Sequence, residues 1–255
     1  MPATPTTDAA AEAAIDAACR TLHLPTVRAD AGPAADAAAR DKITHRGYLA
    51  ELLAAETDAR TERRRLRRIN DAKFPRHKTL AAFDTTHSPV DPALLGTLAT
   101  GRWIDDAQPV VLIGDSGTGK THLLIALGMA ACEQGRSVRY ITAANLVNEL
   151  AEAADDKTLS RLIGRYGRVD LLCLDELGYL TLDPRGAELL FQVITEREER
   201  ASIAVATNAP FSEWGNTFTD PRLAAAVVDR LTFNAHLITT GTDSHRLRTT
   251  RTRKT

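Results

Sequence analysis

The clearest chemical statement in this chain is the stretch Gly114-Asp115-Ser116-Gly117-Thr118-Gly119-Lys120-Thr121. A glycine, four free positions and then Gly-Lys-Thr make a loop that curls tightly enough to aim several backbone N–H groups into one concavity, as nucleotide phosphates require. Lys120 adds a point charge near the β and γ phosphates, and the Thr121 hydroxyl suits Mg²⁺. ATP and Mg²⁺ are therefore the expected cofactors. The nucleotide contacts are expected from Gly114, Asp115, Ser116, Gly117, Thr118, Gly119, Lys120, Thr121 and His122.

Two more chemical groups follow downstream. Val169-Asp170-Leu171-Leu172-Cys173-Leu174 is an apolar strand that ends in the carboxylates Asp175 and Glu176. Beside a phosphate loop, Asp175 is placed to share the metal with Thr121, and Glu176 to polarise a water against the γ phosphate. The plainer reading of the pair is N-capping of the next helix. Ser202 to Thr207 is another buried strand, after which Asn208 either orients the attacking water or merely opens the turn before Pro210.

These groups need a scaffold that brings strand ends together, and the local pattern supplies one. Pro109 to Ile113 reads as a strand buried on both faces, and Thr121 to Gln134 as a helix stopped by Gly135. The helix N-terminus then points its dipole at the phosphates. Ser137 to Ile141 is the next strand, Ala143 to Ala153 and Asp155 to Arg168 are helices, and Gly186 to Arg200 is an amphipathic crossover helix. Alternation of strand and helix predicts an α/β fold with a parallel sheet flanked by helices. The pair Trp103-Ile104, just before the first strand, lines an adenine pocket or packs in the core. The last helix-like run, Leu223 to Leu231, contains Arg230, and a short strand-like stretch at residues 235–238 follows it.

Upstream, the chain changes character twice. Residues 1–40 are an Ala-rich leader, read as a weak helix and linker, partly disordered, with Pro25 and Gly32-Pro33 as breaks. Residues 41–78 form a basic helical segment, in which Arg60, Arg63, Arg64, Arg65, Arg67, Arg68 and Lys73 face only Glu62 and Asp71. Such a stripe neutralises phosphates and releases counterions, giving salt-sensitive binding to double-stranded DNA; a solvated helix face is the bland alternative. Residues 79–255 are then the nucleotide-binding domain with a basic tail.

The net charge of -1 would argue against a nucleic-acid partner if charge were evenly spread, but the basic residues are clustered. Cys19, Cys132 and Cys173 have no metal-ligand spacing and suit a reducing compartment. No signal peptide or transmembrane-length apolar run is visible, so a cytoplasmic protein with no membrane partner is expected.

With these residues assembled, the chain resembles the IstB-like ATP-binding proteins, the helper ATPases of insertion-sequence transposition, which are similar to DnaC helicase loaders. The marks run through Arg68 to Pro75, Gly114 to Leu124, Leu174-Asp175-Glu176-Leu177-Gly178-Tyr179-Leu180, Pro210-Phe211-Ser212-Glu213-Trp214-Gly215 and Asp229-Arg230-Leu231. The resemblance implies a P-loop NTPase of the AAA+ type, preceded by a small helical N-terminal domain, that forms a homo-oligomer on duplex DNA and assists a cognate transposase. It places Lys120 and Thr121 on Walker A, Asp175 and Glu176 on Walker B, and Asn208 on the sensor of the third strand. It also makes Arg230 the arginine offered to a neighbour's nucleotide and Arg246 a second sensor, although Ser244-His245-Arg246 departs from the family's Ser-Tyr-Arg. Three other readings share parts of the pattern: a helicase loader, a small-molecule kinase, and a nucleotide-gated DNA-binding module without appreciable hydrolysis.

Overall fold

A computed structural model describes residues 7–179 and 181–242. The chain divides into two compact units between Leu66 and Arg67. That division falls within a helix, upstream of the boundary expected near residue 78.

The first unit contains α1 (Asp8–Thr21), α2 (Pro25–Arg40) and most of α3 (His45–Ala72). The expected weak helix and linker is thus replaced by two helices, and α2 continues through Pro33. An internal proline costs a helix about 3 kcal/mol, so local propensity is overridden by packing. Val27 and Ala31 of α2 are buried with Cys19 of α1 and Leu52 of α3, and Tyr48 donates its hydroxyl to the Ala31 carbonyl at 2.9 Å. Glu56 of α3 is 3 % exposed and accepts from the N–H groups of Thr26 (2.7 Å) and Val27 (3.2 Å), which caps the start of α2 from another helix.

The second unit begins with the end of α3 and continues through α4 (Pro92–Ala99) and α5 (Arg102–Asp105) to β1 (Val110–Ile113). Next come α6 (Lys120–Glu133), β2 (Val138–Thr142), α7 (Ala143–Asp155), α8 (Leu159–Gly167) and β3 (Leu171–Leu177). It closes with α9 (Pro184–Arg197), β4 (Ser202–Thr207), a 3-10 turn at Phe211–Glu213, α10 (Trp214–Phe218), α11 (Pro221–Thr232) and β5 (His236–Thr239). Asp91-Pro92, Asp183-Pro184 and Asp220-Pro221 start α4, α9 and α11 by one device. The Asp side chain accepts an N–H of the first turn, and Pro occupies the first helical position.

The sheet is parallel throughout in the order β2-β3-β4-β1-β5. Alternate strand residues feed two cores. Val110, Leu112, Cys173, Ala204 and Ala206 pack with α6, α4 and α5, while Val111, Leu172, Leu174 and Val205 pack with α7, α9 and α11. Trp103 and Ile104 belong to the first of these cores, and Trp103 Nε1 donates to the Leu98 carbonyl at 2.9 Å. Of the two sequence readings, core packing is therefore the one realised. Cys132 and Cys173 are buried free thiols; burial pushes Cys132 up to about 12 and Cys173 higher still, so both act as small hydrophobes. Among the described residues, no helix is long and apolar enough to cross a membrane.

Candidate functional site

In a parallel sheet the carboxyl ends of all strands lie at one edge, and there the loop 114–119 leads from β1 into α6. Gly119 has φ +101°, and a Cβ there would come within 2.7 Å of Phe83 Cε2, so the position requires glycine for both backbone and space. Lys120 is buried, and its ammonium donates to the carbonyls of Gly114 (2.6 Å) and Asp115 (2.7 Å), which holds the charge over the loop. The loop is clamped as well by the residues that follow β5, the strand paired with β1. The Asp115 N–H donates to the Gly241 carbonyl at 3.1 Å, and the Thr118 and Thr240 hydroxyls are 2.6 Å apart.

Beside the loop lies a cavity of about 330 Å³, lined by Lys78, Phe83, Asp84, His87 and the residues Gly117 to His122. His122 sits edge-on to Phe83 at 5.5 Å, with Nε2 2.9 Å from the Thr79 carbonyl. On its other side Thr121 opens onto a groove of about 700 Å³ lined by Arg76, Tyr140, Asn145, Glu149, Asp175 and Glu176. Arg76, Thr121 and Ile125 line both spaces, so a molecule lying along the loop touches both.

The metal pair predicted from the sequence comes together. The Thr121 hydroxyl donates to Asp175 Oδ1 at 3.2 Å, and Asp175 is 3 % exposed. Two hard oxygen donors at the mouth of an open groove fit Mg²⁺, which takes few protein ligands and keeps its waters. Asp175 is oriented by two further donors, its neighbour's N–H (Glu176 N to Oδ1, 2.9 Å) and the buried Tyr140 hydroxyl (to Oδ2, 2.6 Å). Burial and the adjoining Asp175 carboxylate raise the Tyr140 phenol well above its ordinary range, so it stays a donor.

Glu176 is exposed and has φ +60°, and the pairing of β3 with β4 shifts register between Leu174 and Leu177. This bulge turns Glu176 out of the sheet's alternation and towards the groove, a local rearrangement that an apolar strand pattern does not announce. Asn208 follows β4 at the same edge. Its Oδ1 is buried without a hydrogen-bond partner among the described residues and lies by the Glu176–Tyr179 turn. The stretch Pro210 to Gly215 holds the residue after Asn208: Trp214 is buried, donates from Nε1 to the Ala209 carbonyl at 3.1 Å, and packs on Phe211.

Arg230 lies elsewhere. With Pro109, Ala201, Ile203 and Asn234 it lines a cavity of about 200 Å³ at the amino ends of β1, β4 and β5. Its Nε is 2.9 Å from Glu198 Oε2, its guanidinium lies 4.6 Å over the Phe191 ring, and it keeps 24 % side-chain exposure. At least the length of β1, about 13 Å, separates it from its own phosphate loop. Arg246 lies outside the described residues.

The basic residues of α3 are not equivalent. In the first unit, Arg63 pairs with Glu56 at 2.9 Å and reaches Thr26, while Arg60 donates to the His23 carbonyl at 2.7 Å; both pin helices together. Arg65 is bidentate to Glu62 at 2.7 Å. Arg64 is exposed and makes no ion pair among the described residues, and Lys73 is exposed as well. Arg67 has a loose 3.6 Å contact with Asp71, with both side chains mostly in solvent. Arg68, half-buried, lies near Gly135.

The model of the IstB-like ATP binding protein family matches residues 17–253. The chain belongs to this family. It is 37 % identical over 231 residues, covering 90 % of this chain and 92 % of the relative, to a Geobacillus stearothermophilus protein named as the ATP-binding protein of insertion sequence IS5376. Among solved structures, replication initiator DnaA bound to AMPPCP and single-stranded DNA aligns with TM-score 0.56 and 21 % identity, covering 71 % of this chain and 55 % of that one. The DnaC helicase loader aligns with TM-score 0.51 and 17 % identity, covering 68 % and 98 %. At such identities the two structures speak for the fold. The chain is accordingly an AAA+ P-loop ATPase, as the phosphate loop and strand order already implied.

Tyr140, Phe83, Thr240 and Gly241 went unnoticed in the sequence. Each reaches the site from a distant element, and none stands in a motif; only proximity in space marks them.

Proposed function

We propose that the protein hydrolyses ATP as a switch for assembly on duplex DNA and thereby assists the transposase of an insertion sequence in the cytoplasm. The reading is carried by one arrangement: Lys120, the Thr121–Asp175 pair, Glu176 and Asn208 share one sheet edge, whereas Arg230 stands at the opposite edge. The base takes the cavity beside Phe83, and the phosphates lie along the loop under Lys120. Thr121 and Asp175 would hold Mg²⁺, which would supply neutralisation of the phosphate charge. Glu176 accepts a proton from the attacking water, and Asn208 Oδ1, which has no partner among the described residues, accepts a hydrogen bond from the same water and aligns it. ADP and phosphate are the products. Arg230 cannot reach the nucleotide of its own chain, so its charge serves a neighbouring copy, and oligomer formation completes the site. Exposed Arg64, Arg67 and Lys73 are the cations best placed for DNA phosphates.

The test is turnover per subunit against protein concentration, with and without duplex DNA. Turnover should rise with concentration and with DNA, and Arg230→Ala should remove that rise while leaving nucleotide binding intact. Lys120→Ala should abolish binding itself. A dilute monomer that hydrolyses at full rate defeats the shared site. Co-purification with an integrase-type transposase supports the transposition role, whereas capture of a hexameric helicase points to loading.

A further inference from the structure

The motifs around the phosphate loop give Tyr140 no task, yet it makes one of the shortest contacts in the site. It lies on β2, and its register partner on β3 is Cys173, two residues before Asp175. From there its side chain runs along the sheet to donate to Asp175 Oδ2 at 2.6 Å. The ring is buried, leaning on Phe74 with centroids 6.2 Å apart, so the hydroxyl has little freedom to point elsewhere. The other carboxylate oxygen, Oδ1, takes the Thr121 hydroxyl and the Glu176 N–H.

A carboxylate's last torsion is broad and has no strong preference of its own. Its plane is therefore set by its partners, and a short bond to a charged acceptor is roughly twice as strong as a neutral one. With Oδ2 tied to Tyr140, Oδ1 is the oxygen left facing Thr121. We propose that Tyr140 is a positioning residue for the metal: its hydroxyl fixes the rotation of Asp175 so that Oδ1 and the Thr121 hydroxyl present a ready pair of ligands. This inference rests on the reading that Asp175 helps to hold Mg²⁺.

Tyr140→Phe removes the hydroxyl and keeps the ring, so full-length protein of this variant is the test. Mn²⁺ serves as the probe, its binding to the ADP-loaded protein followed by the loss of the free-ion spin resonance signal. Loss of such a supporting partner typically lowers metal affinity by about 10- to 100-fold, and a drop of at least about tenfold is expected here. ADP affinity measured in EDTA should stay unchanged, because Tyr140 touches the carboxylate and not the phosphate loop. Phe74→Leu keeps the hydroxyl while loosening the ring; its Mn²⁺ affinity should fall less than that of Tyr140→Phe.

Unchanged Mn²⁺ affinity in Tyr140→Phe overturns the proposal. So does an equal loss of ADP affinity in EDTA, or a variant that fails to fold, since either makes the hydroxyl a general structural support. An equal Mn²⁺ loss in both variants does so too, because it assigns the effect to ring packing. Asp175→Asn separates the two layers. If it leaves Mn²⁺ binding unmoved, the reading of Asp175 itself falls; if it weakens binding while Tyr140→Phe does not, only the role of Tyr140 falls.

Discussion

Glu176 offers a test in which stability and activity should move in opposite directions. It is a non-glycine residue at φ +60°, on a bulge, with its side chain exposed and making no hydrogen bond among the described residues. Left-handed backbone costs an L-residue about 1–2 kcal/mol, and Glu176→Gly relieves it. Glycine's extra freedom in the unfolded chain takes back about 0.5–1 kcal/mol. Because no packing is lost at an exposed position, the net is a gain of about 0.5 kcal/mol. That corresponds to a rise of about 1–2 °C in Tm for a unit of this size. Glu176→Gln retains the backbone strain and should melt with the wild type. Both variants lose the carboxylate proposed above as proton acceptor, and hydrolysis should fall by about 10²- to 10⁴-fold in each. Thermal unfolding by circular dichroism, paired with phosphate release at saturating ATP, reads both quantities. A Glu176→Gly protein that melts below Glu176→Gln, or either variant retaining wild-type turnover, refutes the reasoning that the strained bulge is kept for the chemistry.

The loop makes a second demand: Gly119→Ala places a Cβ within 2.7 Å of Phe83 at a φ that alanine rarely adopts, and nucleotide affinity by calorimetry should fall about tenfold or more. Glu56 predicts a pH dependence of the first unit. Burial pushes its carboxyl up, but the Val27 and Thr26 N–H groups and Arg63 outweigh that and hold it below its ordinary value. A lowered value means stability that is present above the unfolded-state value, about 4.3, and is lost as pH falls below it. Glu56→Gln should therefore flatten the acid side of the stability profile, followed by helical circular dichroism of α1 to α3. For DNA, replacing Arg64 and Arg67 together by Ala should make the slope of log K against log salt about 1.8 shallower while leaving the melting temperature unchanged. Arg63→Ala, which removes a partner of buried Glu56, should instead lower thermal stability.

What the sequence alone determined was everything that depends on neighbours along the chain. The spacing of Gly114, Gly119, Lys120 and Thr121 fixes a phosphate loop, because loop curvature and helix start are local properties. Apolar runs ending in Asp175 and Asn208 fix parallel strands whose chemistry must gather at one edge. The Asp-Pro helix starts at residues 91, 183 and 220 are equally local, and reading them would place α9 two residues earlier than apolar spacing alone does.

Tertiary structure decided the rest. Whether residues 25–40 break at Pro33 is settled by Cys19 and Leu52, which come from other helices and bury α2 despite its proline. Whether a carboxylate is merely present or is aimed depends on Tyr140, which lies 35 residues from Asp175 in sequence and 2.6 Å from it in space. The bulge at Glu176 arises from a register shift between two strands and is invisible in either strand alone. Arg230 could be matched to a motif, but only the sheet places it at the edge remote from its own phosphate loop, beside Glu198 and Phe191.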